Sequence, residues 1–169
     1  MRKILFLILL VSASNISANT LHISPEIKFG PYIGAGISGG GLQLGLSDSL
    51  GFDAIYFSYS DIYAEFLSID EDQIQTYRLG GQYQLVNVPK MSLQLEVGAA
   101  KYKGNRKYVG GSTRALEGQG GSFSASWVIA VTDNIGFRAG ADFNYIDKDK
   151  TFLPNSLTAT ISTGVVFSY

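Results

Sequence analysis

The feature that most constrains the fold of this chain is an alternation of apolar and polar residues with a period of two, from about residue 26 to the end. A period of two is that of a β-strand, in which successive side chains point to opposite faces. The last segment, residues 158–169, has one face of Thr, Ser and Gly with a single Val. Its other face is largely apolar and consists of Ala159, Ile161, Thr163, Val165, Phe167 and Tyr169. The alternation predicts an all-β chain.

Eight segments of this kind are predicted as strands. They are residues 26–38, 41–47, 51–66, 74–85, 92–102, 122–131, 135–146 and 158–169. The segment 51–66 is ambiguous because it carries aromatic residues on both faces. We favour the facing in which the acids Asp53, Asp61 and Glu65 point inward. The outward residues are then Phe52, Ala54, Tyr56, Ile62 and Phe66.

The connections between the segments differ in length. Short turns are predicted at residues 48–51, 86–91 and 132–134, and longer loops at 67–72, 103–121 and 147–156. Only the first hairpin breaks this pattern, because its predicted connection is the short "GGG" at 39–41. An even strand number, short turns at one rim and longer loops at the other describe an eight-stranded antiparallel up-and-down transmembrane β-barrel. The interior of so small a barrel is filled by side chains, so a wide pore is not expected.

The polar faces distinguish this barrel from a soluble sandwich or lipocalin-like barrel, which also alternates. Charged residues make up only 16 % of the chain, and the polar faces are mostly Gly, Ser, Thr and Gln. Such faces suit a packed interior better than a solvated surface. The few charges within the strands are predicted to form a polar network in the lumen. We expect Arg138 to pair with Asp142 or Glu96, and Arg78 or Lys28 to pair with another acid.

The N-terminus predicts export. Arg2 and Lys3 precede an apolar run from Ile4 to Val11, and small and polar residues follow to Ala18. This is the layout of a secretory signal peptide, and the run is far short of the ~20 residues of a spanning helix. The alternative is an N-terminal anchor or a buried helix. The predicted organisation is a cleaved signal peptide at 1–18, a short lead-in at 19–25 and a barrel at 26–169.

Two broad classes are disfavoured by composition. The formal net charge of −1 argues against a nucleic-acid binder, which needs a basic surface. The chain contains no cysteine, so it has neither a disulfide framework nor a thiolate metal site.

Three stretches carry a resemblance to a known family. They are "GPYIGAGI" at 30–37, "VTDNIGFRAGADFNYID" at 131–147 and "SLTATISTGVVFSY" at 156–169. In these the chain resembles the small eight-stranded outer-membrane β-barrels of the OmpA/OmpX type, over residues 26–169. The resemblance implies a monomer in the outer membrane of a Gram-negative bacterium, in contact with outer-membrane lipid and lipopolysaccharide. It also implies that Val165, Phe167 and Tyr169 form the signal read by the barrel-assembly machinery.

Side chains able to do chemistry are few. His22 is the only histidine, and it precedes the predicted first strand on the periplasmic side, so no Ser–His or Asp–His pair is expected at the outer rim. An acidic group near the second outer loop is interpreted as a solvated loop, with divalent-cation bridging to lipopolysaccharide as the alternative. This group consists of Asp61, Glu65, Asp70, Glu71 and Asp72. We expect no catalytic residue, metal ligand or cofactor.

The third long loop is basic. Lys103, Arg106, Lys107 and Arg114, together with Lys101, are possible contacts for lipid A phosphates or acidic host polymers. The alternative is a mobile surface loop, which its glycines favour.

Three functions are compatible with this sequence. The first is a structural or surface-interaction protein that supports envelope integrity, adhesion or defence. The alternatives are a small porin-like channel for small or hydrophobic solutes and a lipid A-modifying barrel enzyme.

Overall fold

The computed structural model describes residues 20–31, 37–66, 70–88, 90–108 and 111–168, which form a closed barrel of eight antiparallel strands. The strands are β1 (Leu21–Phe29), β2 (Ile37–Ser49), β3 (Phe52–Phe66), β4 (Asp70–Gln84), β5 (Met91–Lys107), β6 (Thr113–Ala130), β7 (Ile135–Ile146) and β8 (Leu157–Ser168). Each strand pairs with its sequence neighbour, and β8 pairs with β1 to close the cylinder. One short 3₁₀-helix, Lys148–Lys150, precedes β8. The predicted up-and-down topology is confirmed.

No helix within these ranges is long and apolar enough to cross a bilayer.

The two rims of the barrel differ, and we name them from their connections. The inner rim carries the turns β2–β3, β4–β5 and β6–β7, and the outer rim carries the other connections. The β2–β3 turn consists of Leu50 and Gly51, whose φ angles of 55° and 83° suit a two-residue hairpin. In membrane barrels the short turns face the periplasm.

The faces of the strands are inverted relative to a soluble protein. Polar and charged side chains such as His22, Lys28 and Arg78 are fully buried inside the barrel. Apolar side chains cover the outside, where Leu79, Val97 and Ile161 are each about two-thirds exposed (65 %, 67 % and 65 %). An apolar surface that surrounds the molecule is unstable in water and stable in lipid, where only closed barrels and helices satisfy their backbones. The structure therefore has the outward face of a transmembrane barrel.

The predicted first strand is wrong in its bounds. β1 begins at Leu21 rather than at residue 26 and ends at Phe29, so much of the predicted lead-in belongs to the barrel. The "GGG" at 39–41 is not a turn but lies within β2, between β1 and β3. A Cβ on Gly39 would collide with the carbonyl oxygen of Asp61, so glycine serves close strand packing here.

The long third loop is also shorter than predicted. β5 continues to Lys107 and β6 begins at Thr113, and the two strands pair along their whole length. The turn is closed by hydrogen bonds between Tyr108 and Ser112 and from Gly111 to Tyr108 (N–O distances 2.9 and 3.1 Å). These strands of 17 and 18 residues exceed the ~9–11 residues of a membrane crossing, so the hairpin projects beyond the outer rim.

The facing predicted for residues 51–66 is wrong for most of β3. Ala54, Tyr56 and Ile62 are each 2 % exposed and point into the lumen, whereas Asp61 faces outward. Ser58 and Ser60 are also buried and have the same parity as Tyr56, so the small polar residues mark the inward face. Phe52, at the start of the strand, remains on the outer surface as predicted.

Candidate functional site

The middle of the lumen contains a balanced network of charged side chains. The ammonium of Lys28 lies 2.9 Å from Glu26 and also pairs with Asp142. Arg78 lies 2.7 Å from the same Asp142 and 3.3 Å from Glu96. All of these side chains are at most 2 % exposed. The inward positions of four β-strands on opposite sides of the barrel therefore meet at one level.

Arg138 completes the network in a way that the sequence did not predict. Its partner is Glu26 on β1, not Asp142 or Glu96, and its Nε also donates to Ser126 at 3.3 Å. Glu26 is the member of the network that the sequence analysis did not single out. Glu26 could have been included from the sequence, because it lies two residues before Lys28 and therefore on the same inward face of β1. With Glu26 included, three acids face three bases, and the lumen carries no net charge at this level.

A polar layer lies between this network and the inner rim. His22 is buried, stacks on Tyr56 with ring centroids 4.9 Å apart, and places its Nε2 3.2 Å from Oε1 of Gln43. The prediction that His22 precedes the first strand is wrong, because it lies in β1 and points into the lumen. Gln94 continues the layer by donating to Gln82 at 2.8 Å. The histidine is thus held by an amide and an aromatic ring, far from the outer loops.

The outer end of the lumen is closed by an apolar cluster. Side chains from β3, β4, β5 and β7 pack there with Leu153 from the connection that precedes β8. The buried members are Ile62, Ile74, Ala100, Tyr102, Ile146 and Leu153, with Leu116 and Phe152 packed against them. We call residues 147–156 the capping segment, because its Leu153 and Phe152 pack on this apolar plug at the barrel mouth.

Tyr102 connects the capping segment to the projecting hairpin. Its hydroxyl donates to Asp72 and accepts from the backbone N–H of Phe152 at 3.1 Å. Burial and the hydrogen bond to Asp72 raise the pKa of this hydroxyl well above its usual range, so it stays protonated. Arg106 adds a salt bridge to Asp72 at 2.7 Å and lies 4.5 Å above the ring of Phe152. These contacts could not be predicted from the sequence, because Asp72, Tyr102, Arg106 and Phe152 come from two strands and one connection.

The basic residues predicted as ligand contacts do not act alike. Arg106 is engaged by Asp72, and by Asp70 at 3.6 Å. Arg114, directly opposite Arg106 across the hairpin, is exposed and lies 5.8 Å from the ring of Phe152. Lys103 and Lys107 are exposed on β5.

The predicted acidic loop is divided by the structure. Asp72 is buried against Tyr102 and Arg106, Asp70 lies near Arg106, and Asp61 is on the outward face of β3. Glu71 is half-buried on β4, and the side chain of Glu65 lies outside the described part of the chain. Across the residues that the structure describes, no three such side chains converge on a possible metal ion.

The predicted assembly signal lies on β8. Val165 and Phe167 are on its partly exposed outward face, and Tyr169 lies outside the described residues.

Comparison with known proteins gives a fold but not a family. No protein-family model and no curated protein matches the chain. Among solved structures, the N-terminal β-barrel domain of Pseudomonas aeruginosa OprF is similar, with a TM-score of 0.62 and 15 % identity over 89 % of this chain and 98 % of that one. Ail, the attachment invasion locus protein of Yersinia pestis, matches with a TM-score of 0.65 and 12 % identity over 89 % and 97 % of the two chains.

A second structure of Ail, in complex with the heparin analogue sucrose octasulfate, matches with a TM-score of 0.59 and 12 % identity over 89 % and 97 %. At these identities the likeness concerns the fold. The predicted resemblance to small eight-stranded outer-membrane barrels is confirmed at that level.

Proposed function

We propose that this protein is an integral outer-membrane β-barrel of a Gram-negative bacterium with a structural and surface-interaction role, and that it neither conducts solutes nor catalyses a reaction. The observation that carries the proposal is the filled lumen. Along the axis, a polar layer, a neutral ion network and an apolar plug follow one another, and the capping segment covers the plug.

The ion network argues against a channel on energetic grounds. A permeating ion would have to displace side chains that are paired in a low-dielectric interior. Breaking one such pair typically costs about 3–5 kcal/mol, because it leaves a buried charge without a partner. Water can occupy small gaps beside the buried hydroxyls of Ser24, Thr160 and Ser162, for which the described residues offer no hydrogen-bond partner.

A surface role is supported by the projecting hairpin. From Lys101 to Lys107 β5 rises about 20 Å along its length, at ~3.3 Å per residue. Phe152 of the capping segment lies 4.5 Å from the guanidinium of Arg106 on β5, so the segment packs against the hairpin that carries these basic side chains. Arginine and lysine here suit phosphate or sulfate groups of lipid A or host polymers. The Ail structure with a heparin analogue lends support from a protein of the same fold.

An enzymatic role has little support from the only histidine, because His22 faces Gln43 and Tyr56 in the inner half of the lumen. Incubation of the purified barrel with lipopolysaccharide, followed by mass spectrometry, tests this part. We expect no change in mass of the lipid.

Two further partners are proposed: membrane lipid, from the outward apolar face, and the assembly machinery, from the last strand. We propose that the barrel is a monomer surrounded by outer-membrane lipid and lipopolysaccharide. We further propose that the assembly machinery reads Val165, Phe167 and Tyr169.

Single-channel recording in planar bilayers is the decisive experiment. A filled lumen predicts no steady, defined conductance for the wild-type protein. A variant with Ile62→Ser and Ile74→Ser, which removes apolar packing from the plug, serves as a positive reference for a loosened lumen. Reproducible conductance steps from the wild-type barrel would instead support the porin-like alternative and refute the proposed role.

A further inference from the structure

A groove crosses the outward face of four neighbouring strands beyond the outer rim. Tyr63 on β3 pairs with Gln73 on β4, which pairs in turn with Lys103 on β5. Lys103 pairs with Glu117 on β6, so the row spans three strand spacings, about 14 Å. We define the outer-sheet groove by these four residues together with Glu71 and Ala115, which line the same cavity of about 440 Å³.

The groove has the size of a ligand site, because small-molecule pockets usually measure about 300–1,000 Å³. Its depth at β6 depends on Ala115, which carries only a methyl group between Thr113 and Glu117 on the same face of the strand. A longer side chain at this position would fill the groove without changing its charge.

The groove lies above the lipid. Met91 begins β5 at the inner rim, and the ten residues from there to Lys101 span about 33 Å along the strand, or about 25 Å along the axis for a tilt of ~40°. That distance equals the usual height of the apolar band, and Lys103 lies beyond it. Tyr59, four residues before Tyr63 on β3, lies 5.2 Å from Tyr77 on the outward face, as expected for an interfacial aromatic girdle. The groove therefore opens to water beyond the girdle.

The charges around the groove are mixed. The carboxylates of Glu71 and Glu117 line it, and so does Asp72, which is paired with Arg106 at 2.7 Å. Lys103 is the one base among the described residues that line the groove, and it lies directly opposite Glu117. A phosphate, sulfate or sialic acid would be repelled by the acids, and a cation would meet Lys103 within the row. The groove therefore suits a ligand without net charge.

The polar groups of the groove suit hydroxyl groups. Nε2 of Gln73 donates to both carboxylate oxygens of Asp61, at 3.0 and 2.9 Å, which fixes the amide and leaves its Oε1 as an acceptor. Glu71 and Glu117 add carboxylate acceptors, and Lys103 adds donors. Tyr63 ends the row and is 46 % exposed. A pyranose ring matches this set, because it has hydroxyl groups at its edge and C–H groups on its faces that pack on an aromatic ring.

An extended peptide matches the groove less well. The middle of the groove is formed by β4 and β5, and each of these strands pairs with a neighbour on both sides. Their backbone N–H and C=O groups are therefore used within the sheet, whereas recognition by strand addition needs an unpaired edge.

We propose that the outer-sheet groove binds a neutral oligosaccharide, with one ring packed on Tyr63 and hydroxyl groups of the next rings held by Gln73, Lys103 and Glu117. The length of the row calls for an oligosaccharide rather than a single sugar. The inference deepens the proposed surface-interaction role and rests on it, because the groove must face the outside of the cell.

Binding of the full barrel in lipid nanodiscs to an array of immobilised oligosaccharides tests the site. One arm carries neutral glycans, including lactose, maltose and chitobiose oligomers, and a second carries their sialylated and sulfated counterparts. A third arm carries phosphate-free polysaccharide released from lipopolysaccharide, so that a sugar of the bacterial surface is distinguished from a host glycan. Empty nanodiscs give the background, and surface plasmon resonance gives the affinity for each retained glycan.

The test variant is Ala115→Gln, which fills the groove. The matched control is Ala130→Gln, which makes the same substitution at an exposed position of β6 near the inner rim. A second variant, Glu71→Gln/Glu117→Gln, removes the two carboxylate charges and keeps the shape of the groove. Gel mobility before and after heating verifies that each variant is folded.

The wild-type barrel should retain a neutral glycan, from the first or the third arm, in preference to its acidic counterpart. Ala115→Gln should lower that affinity about tenfold or more, the usual effect of losing a hydrogen bond to a charged group, and Ala130→Gln should match the wild type. Glu71→Gln/Glu117→Gln should narrow the difference between the neutral and the sialylated glycan.

Three results would overturn the inference. They are retention of no neutral glycan above the background, a wild-type preference for acidic glycans, and equal affinities of Ala115→Gln and Ala130→Gln. A folded, non-conducting barrel that gives any of them refutes only the glycan site. Steady conductance in planar bilayers refutes the proposed role whatever the array shows.

Discussion

Replacement of Arg78 by Met is the most informative perturbation of the lumen. Arg78 is 1 % exposed and contacts both Asp142 and Glu96, so its loss leaves two carboxylates with fewer positive neighbours. Asp142 keeps Lys28, but Glu96 loses its only ion-pair partner among the described residues. Removal of one member of a buried pair costs about 3–5 kcal/mol, so the folding equilibrium should fall roughly a thousandfold.

Urea-induced unfolding in lipid vesicles, followed by the change of gel mobility on heating, measures this loss. Lys90→Met is the matched control, because Lys90 is exposed at the inner rim and should change the free energy of unfolding little. The double variant Arg78→Met/Glu96→Gln removes the orphaned charge and should recover part of the loss. A loss below about 1 kcal/mol for Arg78→Met, or a double variant that loses the sum of both single changes, would refute a coupled buried network.

Three further changes test other parts of the structure. Tyr102→Phe removes the donor to Asp72 and should cost about 1–3 kcal/mol, seen as faster proteolysis of the capping segment. Because the pKa of Tyr102 is raised in the folded state, the hydroxyl should contribute its full stability below the pKa of a free tyrosine. That stability should be lost only as the pH rises through the folded value. Loss of protection from proteolysis near neutral pH would contradict this. Gly39→Val should reduce the heat-modifiable folded form, since its Cβ collides with the carbonyl oxygen of Asp61, and normal yield would contradict close packing of β2 on β3. Phe167→Asp should reduce assembly into the outer membrane in a cell-fractionation assay, and normal insertion would count against its role in the signal.

Much of the barrel could be predicted from the sequence because most strands carry apolar residues on one face only. The facings of β4 to β8 follow from Gln, Ser and Thr on the other face. The facing of β3 was predicted wrongly because aromatic residues occupy both of its faces. Its inward Tyr56 and Ile62 pack in the lumen rather than in lipid.

The predicted bounds of the first two strands and of the projecting hairpin were wrong for a different reason. Glycine is ambiguous between a turn and a close approach of strands, and at Gly39 and Gly120 a neighbouring backbone occupies the space of a Cβ. The wrong partner for Arg138 reflects register. An inward face can be read from alternation, but the height at which Glu26 meets Arg138 depends on how β1 and β8 close the barrel.

The inverted faces of the barrel are tested most directly by Trp127, the only tryptophan in the chain. Its side chain lies on the outward face of β6 and is 48 % exposed. The wild-type protein is reconstituted in vesicles whose acyl chains carry bromine, and tryptophan fluorescence is compared with that in unbrominated vesicles. A lipid-exposed Trp127 should be quenched strongly by brominated chains and weakly by an aqueous quencher. Fluorescence that is unaffected by bromine would contradict a lipid-exposed outer face.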